Sequence, residues 1–390
     1  MVRPQRPDRL VKALLDWFAH AARDLPWRRT LDPYAVWVSE IMLQQTQVKT
    51  VIPYWERWMR ELPNIASLAR APQEKIHKLW EGLGYYTRVR NLQKAAQQLV
   101  RENDGKFPTT FDAVIALSGV GRYTAGAITS IAFNQPSPIL DGNVIRVLTR
   151  LYGIEENPKG KATNTQLWKL AEQLVLTAQS VPLSPLASRL SLFSISGPCS
   201  ALNQSLMELG ALICTPKQPR CEACPLRKPC VARATNRVDA LPNLGKRAAA
   251  TERRFVAFLA QRSGQWLVQQ RPSGVVNAHL WEFPNVELEA ETTALAAHAT
   301  KLLGARPAQL NPLVMIKHSI TRYRISLEAY LVTTTKRAKA TAASRWLTVE
   351  ELDALAFTSA HRKILTALRR KTTDESALPM AGPLRQPLAP

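Results

Sequence analysis

The 390-residue chain has no apolar run approaching 18 residues, so no transmembrane helix is expected. Its opening residues, MVRPQRPDRL, lack the apolar core of a signal peptide, which points to a cytoplasmic protein. Cysteine is scarce: there are five, and four of them fall between positions 214 and 230. In a reducing compartment that clustering argues for metal ligation rather than disulfides. Acidic residues are outnumbered, 30 against 52 Lys plus Arg, giving a net charge of +22. Such an excess suits a polyanionic partner, and nucleic acid fits better than a membrane. The length allows two or three domains with real cores.

The most informative stretch is 117–148, which contains LSGVGRYTAGAITS and then LDGNVIRVL. Its first part reads as a helix–turn–helix pair with Gly119 and Gly121 in the turn. Glycine permits positive φ and close backbone approach. The helix starting near Tyr123 would then offer free N–H groups to a phosphate. Asp141 precedes the apolar run Val144–Leu148. Taken alone it is most simply a helix N-cap.

On these residues the chain resembles the helix–hairpin–helix DNA glycosylases, and within them the adenine DNA glycosylases of the MutY type. The resemblance runs from about Leu10 to near Leu368. It implies a multidomain protein: an all-α helix–hairpin–helix glycosylase domain with a [4Fe–4S] loop, followed by an α+β Nudix-like domain. The expected boundaries are a disordered basic arm at 1–9, the glycosylase domain at 10–230 and a linker at 231–250. The Nudix-like recognition domain would occupy 251–370 and a disordered tail 371–390. The resemblance makes Asp141 catalytic and sets Tyr123 and Asn143 beside it and the attacking water. Bifunctional endonuclease III relatives carry a Lys where this chain has Tyr123. A phenol cannot form a Schiff base, so base removal without strand cleavage is expected. The family's Leu-Pro-Gly has Ser118 at the Pro position, and the hairpin is expected to survive that change.

Apolar positions Val11, Leu14, Leu15 and Phe18 mark a first helix, which Pro26 in LPWRR ends. Val36, Trp37, Ile41, Val48, Val51 and Trp55 then fit a second helix, buried on one broad face. Glu40 lies in it among apolar neighbours. On pattern alone it could sit at the stripe's edge; burial would instead raise its pKa and suit it to general acid work. SEIMLQQTQV matches the adenine glycosylase motif, which makes Glu40 the proton donor to adenine. The resemblance places Gln44 and Gln45 in a turn that enters the DNA. It assigns Trp27, Arg28 and Gln204 to the adenine pocket, where Asn203 also matches. In WEGLGYYTRVRNL, Tyr85 resembles the aromatic wedge in the base stack, and Arg88 could meet a phosphate. Tyr85 could equally be core.

Residues 153–214 read as mostly helical, with 180–201 a Ser/Pro/Leu-rich insertion containing Cys199, which is not expected to be a ligand. Cys214, Cys221, Cys224 and Cys230 are spaced as x6, x2, x5. Only one short pair is present, whereas zinc sites usually have two. The spacing equals that of the endonuclease III and adenine glycosylase cluster, implying a [4Fe–4S] cofactor. Downstream, RFVAFLA, QWLVQQRP, LVMIK, YRISLEAYLV and RWLTVEEL read as strands and 294–303 as a helix. HLWEFPN resembles the Nudix-like domain of the family. Residues 287–303 hold Glu287, Glu289 and Glu291 but no REXXEE, so recognition without hydrolase activity is expected. The family's Phe-Ser-His loop that reads 8-oxoguanine corresponds here to Ile320, Thr321 and Arg322. The implied partner is double-stranded DNA with adenine opposite 8-oxoguanine or guanine. The protein would work as a nucleoid-associated monomer, with an AP endonuclease downstream. The rival readings are a bifunctional glycosylase/AP lyase, a non-catalytic iron–sulfur DNA-binding protein and a Nudix hydrolase.

Overall fold

The computed structural model describes residues 6–182, 193–245, 249–289, 294–320, 322–334, 338 and 343–376. The chain divides into two compact units: residues 1–72 with 87–247, and residues 73–86 with 248–390. The second unit therefore includes a short segment from the middle of the first. Among the described residues no helix is long and apolar enough to cross a membrane.

The first unit is helical. Helix α1 (Pro7–Ala21) buries Leu10, Val11, Leu14, Leu15 and Phe18, as their spacing dictates. It begins at Pro7, inside the segment read as a disordered arm, because proline suits the first helical turn and Asp8 favours its positive end. A short 3₁₀ turn (Pro26–Arg28) leads to α2 (Pro33–Leu43), which Asp32 caps by accepting from the Tyr34 amide. Every residue of α2 from Tyr34 to Met42 is buried, so this helix is surrounded on all sides. The single long helix expected here is in fact two. Gln45 takes φ 57°, breaking the helix, and α3 (Val48–Glu61) starts afresh with one buried face.

Helices α4 (Ile65–Arg70) and α6 (Thr87–Glu102) pack together. Between them α5 (Gln73–Trp80) belongs to the other unit. The hairpin forms from α7 (Phe111–Ile115) and α8 (Arg122–Phe133), and α9 (Gly142–Tyr152) follows. The Ser118 N–H, which a proline would lack, donates to Gln98 Oε1 at 3.3 Å. Helix α10 (Lys161–Gln179) and α11 (Pro198–Leu212) pack with α1 and α9 around a core that includes Leu14, Val147, Leu174 and Leu206. Residues 183–192 of the proposed insertion lie outside the described residues. Its end, however, is the first turn of α11, and Cys199 there is a buried core residue. The expected linker also starts as structure: α12 (Val231–Ala234) packs on α9, and Leu241 is buried. The Arg150 guanidinium donates to the Leu241 carbonyl at 2.9 Å.

The second unit is a mixed seven-stranded sheet with helices on both faces. Its strands are β1 (Thr251–Arg262), β2 (Gln265–Gln270), β3 (Trp281–Glu282), β4 (Asn285–Leu288), β5 (Pro307–Ile320), β6 (Tyr323–Thr334) and β7 (Ser344–Leu347). The order is β3-β2-β1-β6-β5, with β4 on β1 and β7 on β2; β1 and β6 run parallel. Alternation along β1 divides its side chains between two cores. Ala257 and Leu259 meet Phe357 and Ile364, while Val256 and Phe258 meet Ala299 and Leu303. The latter two come from α13 (Leu295–Leu303), the expected helix, which contains no acidic residue. RWLTVEEL is only half strand. After Leu347, Thr348 and Glu351 form a capping box and start α14 (Val349–Ala354). Helix α15 (Ser359–Ser376) runs into the segment expected to be a tail.

Candidate active site

A cavity of about 750 Å³ opens in the first unit, walled by α2, the 44–47 turn, the start of α8, the start of α9 and α11. Glu40 and Asp141 both line it. α2 presents Glu40 at 5% exposure, where a carboxylate is expensive to ionise. Burial is the main reason its carboxyl is pushed up to about 7, and the nearby Asp141 charge adds to the shift. The hydrogen bond from Tyr123 and the charge of Arg28 pull the other way. Tyr123 Oη donates to Glu40 Oε2 at 2.7 Å and lies 3.3 Å from Met207 Sδ. Burial first, and then the two carboxylates, push the Tyr123 phenol well above its ordinary range. It therefore stays protonated and acts as a donor.

Asp141 caps α9 and also lines the cavity. Its Oδ1 caps α9 by accepting from the Val144 amide at 2.8 Å, while its Oδ2 accepts from Asn143 Nδ2 at 2.9 Å. Burial raises its pKa, and those donors oppose the rise. Asn143 is itself held: its Oδ1 accepts from Arg146 Nη2 at 2.8 Å. Arg146 also donates to the carbonyls of Gly210 at 2.7 Å and Cys214 at 2.6 Å. The orientation of Asp141 thus traces back through α9 to the far end of α11.

Trp27, Arg28 and Gln204 reach the same cavity. Arg28 is buried and donates to Gln204 Oε1 at 3.1 Å and to both Glu208 oxygens at 3.0 Å. Arg23 donates to the other side of Glu208, at 2.9 and 2.7 Å. Burial works to raise Glu208, but these hydrogen bonds outweigh it and hold the carboxyl down at about 2. The sequence reading missed Glu208, although a lone Glu in LNQSLMELGALIC carried the same signal as Glu40. Asn203 turns away from the cavity: its amide donates to Ser130 Oγ and the Ser137 carbonyl.

Gln44 and Gln45 rim the cavity, and Gln44 Nε2 lies 3.4 Å from Thr124 Oγ1. Arg88 is half-buried and is not among the residues that line the cavity. Its Nη1 donates to the carbonyls of Ile41, Met42 and Gln44 at 2.9, 3.2 and 2.5 Å. These are the orphan acceptors at the end of α2, so Arg88 shapes the glutamine turn from behind. Gly119 and Gly121 also border the cavity, for different reasons. Gly119 has φ 75°, and a Cβ there would meet the Asn91 side chain at 2.5 Å. Gly121 has φ −96° and open space where a Cβ would project, so it is not needed for conformation. It leaves the amides of the first turn of α8 open to close approach.

The remaining nominated residues lie elsewhere. Tyr85, in the second unit, is 48% exposed with φ 49°. Arg322 is exposed at the β5–β6 turn, where its Nη2 donates to Tyr323 Oη at 3.1 Å. Thr321 lies outside the described residues. Cys214, Cys221, Cys224 and Cys230 line one small recess with Arg150, Arg227 and Arg233. Burial pushes the Cys221, Cys224 and Cys230 thiols up, so they would ionise on binding a metal; the four sulfurs beside three guanidinium groups suit an anionic cluster. Among the described residues no three Cys, His or acidic side chains converge as ligands of a single ion. The fit therefore rests on the shared recess and the spacing.

Residues 38–173 match the HhH-GPD superfamily of base excision DNA repair proteins, and residues 255–367 match the NUDIX domain. The adenine DNA glycosylase of Homo sapiens is 34% identical over 414 residues, covering 90% of this chain and 72% of the human protein. That of Mus musculus is 35% identical over 412 residues, covering 90% and 76%. The chain is therefore a helix–hairpin–helix base excision repair protein joined to a NUDIX domain. It belongs to the adenine DNA glycosylase family, and its activity is that of an N-glycosylase acting on DNA.

Proposed function

We propose that this glycosylase removes adenine mispaired with 8-oxoguanine or guanine and leaves the strand uncut. The observation that carries the mechanism is the pair of carboxylates lining one cavity, one raised toward neutrality and one held by donors. The target bond is inaccessible inside a duplex, so the adenine must be extruded into the cavity. Trp27, Arg28 and Gln204 would receive it. Glu40 protonates N7 as the bond between N9 and the sugar breaks, so adenine leaves neutral. The sugar develops oxocarbenium character, which anionic Asp141 stabilises. Water then adds to the sugar carbon, and its proton passes to the carboxylate that Glu40 has become. Tyr123 holds one Glu40 oxygen, which leaves the other for the transferred proton. It offers no amine for strand cleavage.

The hairpin glycines would bring backbone amides to phosphate, Gln44 and Gln45 would fill the gap left by the base, and Tyr85 would wedge into the stack. Thr321 and Arg322 would meet the oxidised guanine. Residues 10–230 would perform the chemistry and 251–370 the recognition. Relatives of this type usually carry a [4Fe–4S] cluster. In this chain Cys214, Cys221, Cys224 and Cys230 would hold it, tying down the basic loop that carries Lys217 and Arg220. The test is excision from duplexes with adenine opposite 8-oxoguanine, guanine or thymine, resolved with and without alkali. Alkali-dependent cleavage opposite the first two is expected; near-normal excision by Asp141→Asn would sink the mechanism.

A further inference from the structure

The segment 73–86 lies inside the residues matching the HhH-GPD family, yet it folds as part of the second unit. Its central contact is Glu81. Glu81 Oε1 accepts from the Phe357 amide at 2.9 Å and from Arg362 Nε at 2.7 Å. Its Oε2 accepts from Lys78 Nζ at 2.8 Å, and that ammonium also donates to the Leu355 carbonyl at 3.1 Å. Arg362 reaches the same carbonyl at 2.6 Å and Asp353 at 3.2 Å, and lies over the Phe357 ring. One carboxylate thus binds the end of α5 to the α14–α15 junction.

Immediately after Glu81 the backbone enters a tight turn. Gly82, Gly84 and Tyr85 have φ of 104°, 71° and 49°. Trp80 Nε1 closes the turn by donating to the Gly84 carbonyl at 3.0 Å. A non-glycine residue holds positive φ only where its surroundings enforce it. Glu81 anchors the start of the turn whose backbone carries Tyr85.

We propose that Glu81 is a positioning residue for Tyr85, so that the NUDIX unit acts on excision by holding the wedge as well as by reading the opposite base. This rests on Tyr85 being the wedge. Single-turnover excision by the full-length protein, with adenine opposite 8-oxoguanine, would be compared for wild type, Tyr85→Ala, Glu81→Ala and the double variant. Misplacing a reacting assembly by about 1 Å can cost up to about 10²-fold in rate, so Glu81→Ala should slow excision severalfold or more. Glu81→Gln keeps an acceptor for Phe357 and Arg362 and should retain most of the rate. The double variant should be no slower than Tyr85→Ala alone. If the two factors multiply, or Glu81→Ala excises at the wild-type rate, Glu81 does not act through Tyr85 and the inference falls alone. If Tyr85→Ala is itself at the wild-type rate, the wedge reading falls and takes the inference with it. Should Glu81→Ala fail to fold, Arg362→Gln takes its place in the same cycle with the same outcomes.

Discussion

Tyr123→Phe isolates the hydrogen bond that tunes Glu40, the proposed general acid. The phenol donates to Glu40 at 2.7 Å and lowers a carboxyl that burial has raised to about 7. Phenylalanine keeps the ring, which packs against the helical core, and removes only the donor. A hydrogen bond to an ionised acceptor contributes about 1.5–3 kcal/mol, and its weaker counterpart to the protonated acid about 1 kcal/mol. The difference favours the ionised form, so losing it shifts Glu40 toward the protonated form by an amount equal to about one pH unit. In the wild type, single-turnover excision should fall as pH rises through about 7, because Glu40 loses the proton it must give. In Tyr123→Phe that falling limb should move about one unit to higher pH. At pH 8 the variant's Glu40 would then be protonated about five times as often as the wild type's. The assay is single-turnover release of adenine between pH 5 and 9 at saturating enzyme. A limb that stays in place, or moves to lower pH, would show that Tyr123 does not tune the acid.

Other perturbations follow from the same contacts. Glu40→Gln should stabilise the fold above neutral pH: the native protein binds a proton between pH 4.5 and about 7 that the unfolded chain releases, so wild-type stability falls across that window. The gain has an upper bound of about 3 kcal/mol, seen as a raised Tm at pH 8 with excision lost; an unchanged Tm would refute it. Glu208→Ala leaves Arg28 buried without its carboxylate, and should cost about 3–5 kcal/mol in denaturant unfolding. Since Glu208 is held near 2, the wild type should lose that stabilisation as pH drops from about 4.5 towards 2. Gly119→Ala should both destabilise the fold, by about 1–3 kcal/mol, and weaken DNA binding. Gly121→Ala should weaken binding with Tm unchanged, and equal effects of the two on Tm would contradict the division of roles. Iron and acid-labile sulfide, about four of each per chain, should accompany the purified protein and fall in Cys224→Ala; bound zinc alone would overturn the cluster.

What the sequence made legible was mostly local. The spacing of Val11, Leu14, Leu15 and Phe18 specifies one buried face, and α1 buries it. The period-two alternation of 254–260 places alternate residues in two cores, as β1 does. What stayed hidden depended on distant partners. The apolar positions from Val36 to Trp55 continue in helical phase across the break at Gln45, so periodicity alone cannot find it. The break is held by Arg88, more than forty residues away. Likewise α5 has an ordinary amphipathic pattern, and nothing in it says which core it joins. That is decided by Glu81 meeting Phe357 and Arg362.

Asp141 shows why local signals stop short of chemistry. At position 141 an N-cap and a catalytic carboxylate look alike in sequence: each is an Asp at the start of a helix. The cap contact to Val144 uses one oxygen, and the contact to Asn143 uses the other. Capping therefore does not compete with the proposed catalysis; together the two contacts fix how the carboxylate is held beside the cavity. A sequence can report only that such a residue is present. The distinction lies in what shares the cavity with it, and here that is Glu40, brought from about a hundred residues earlier by the burial of α2.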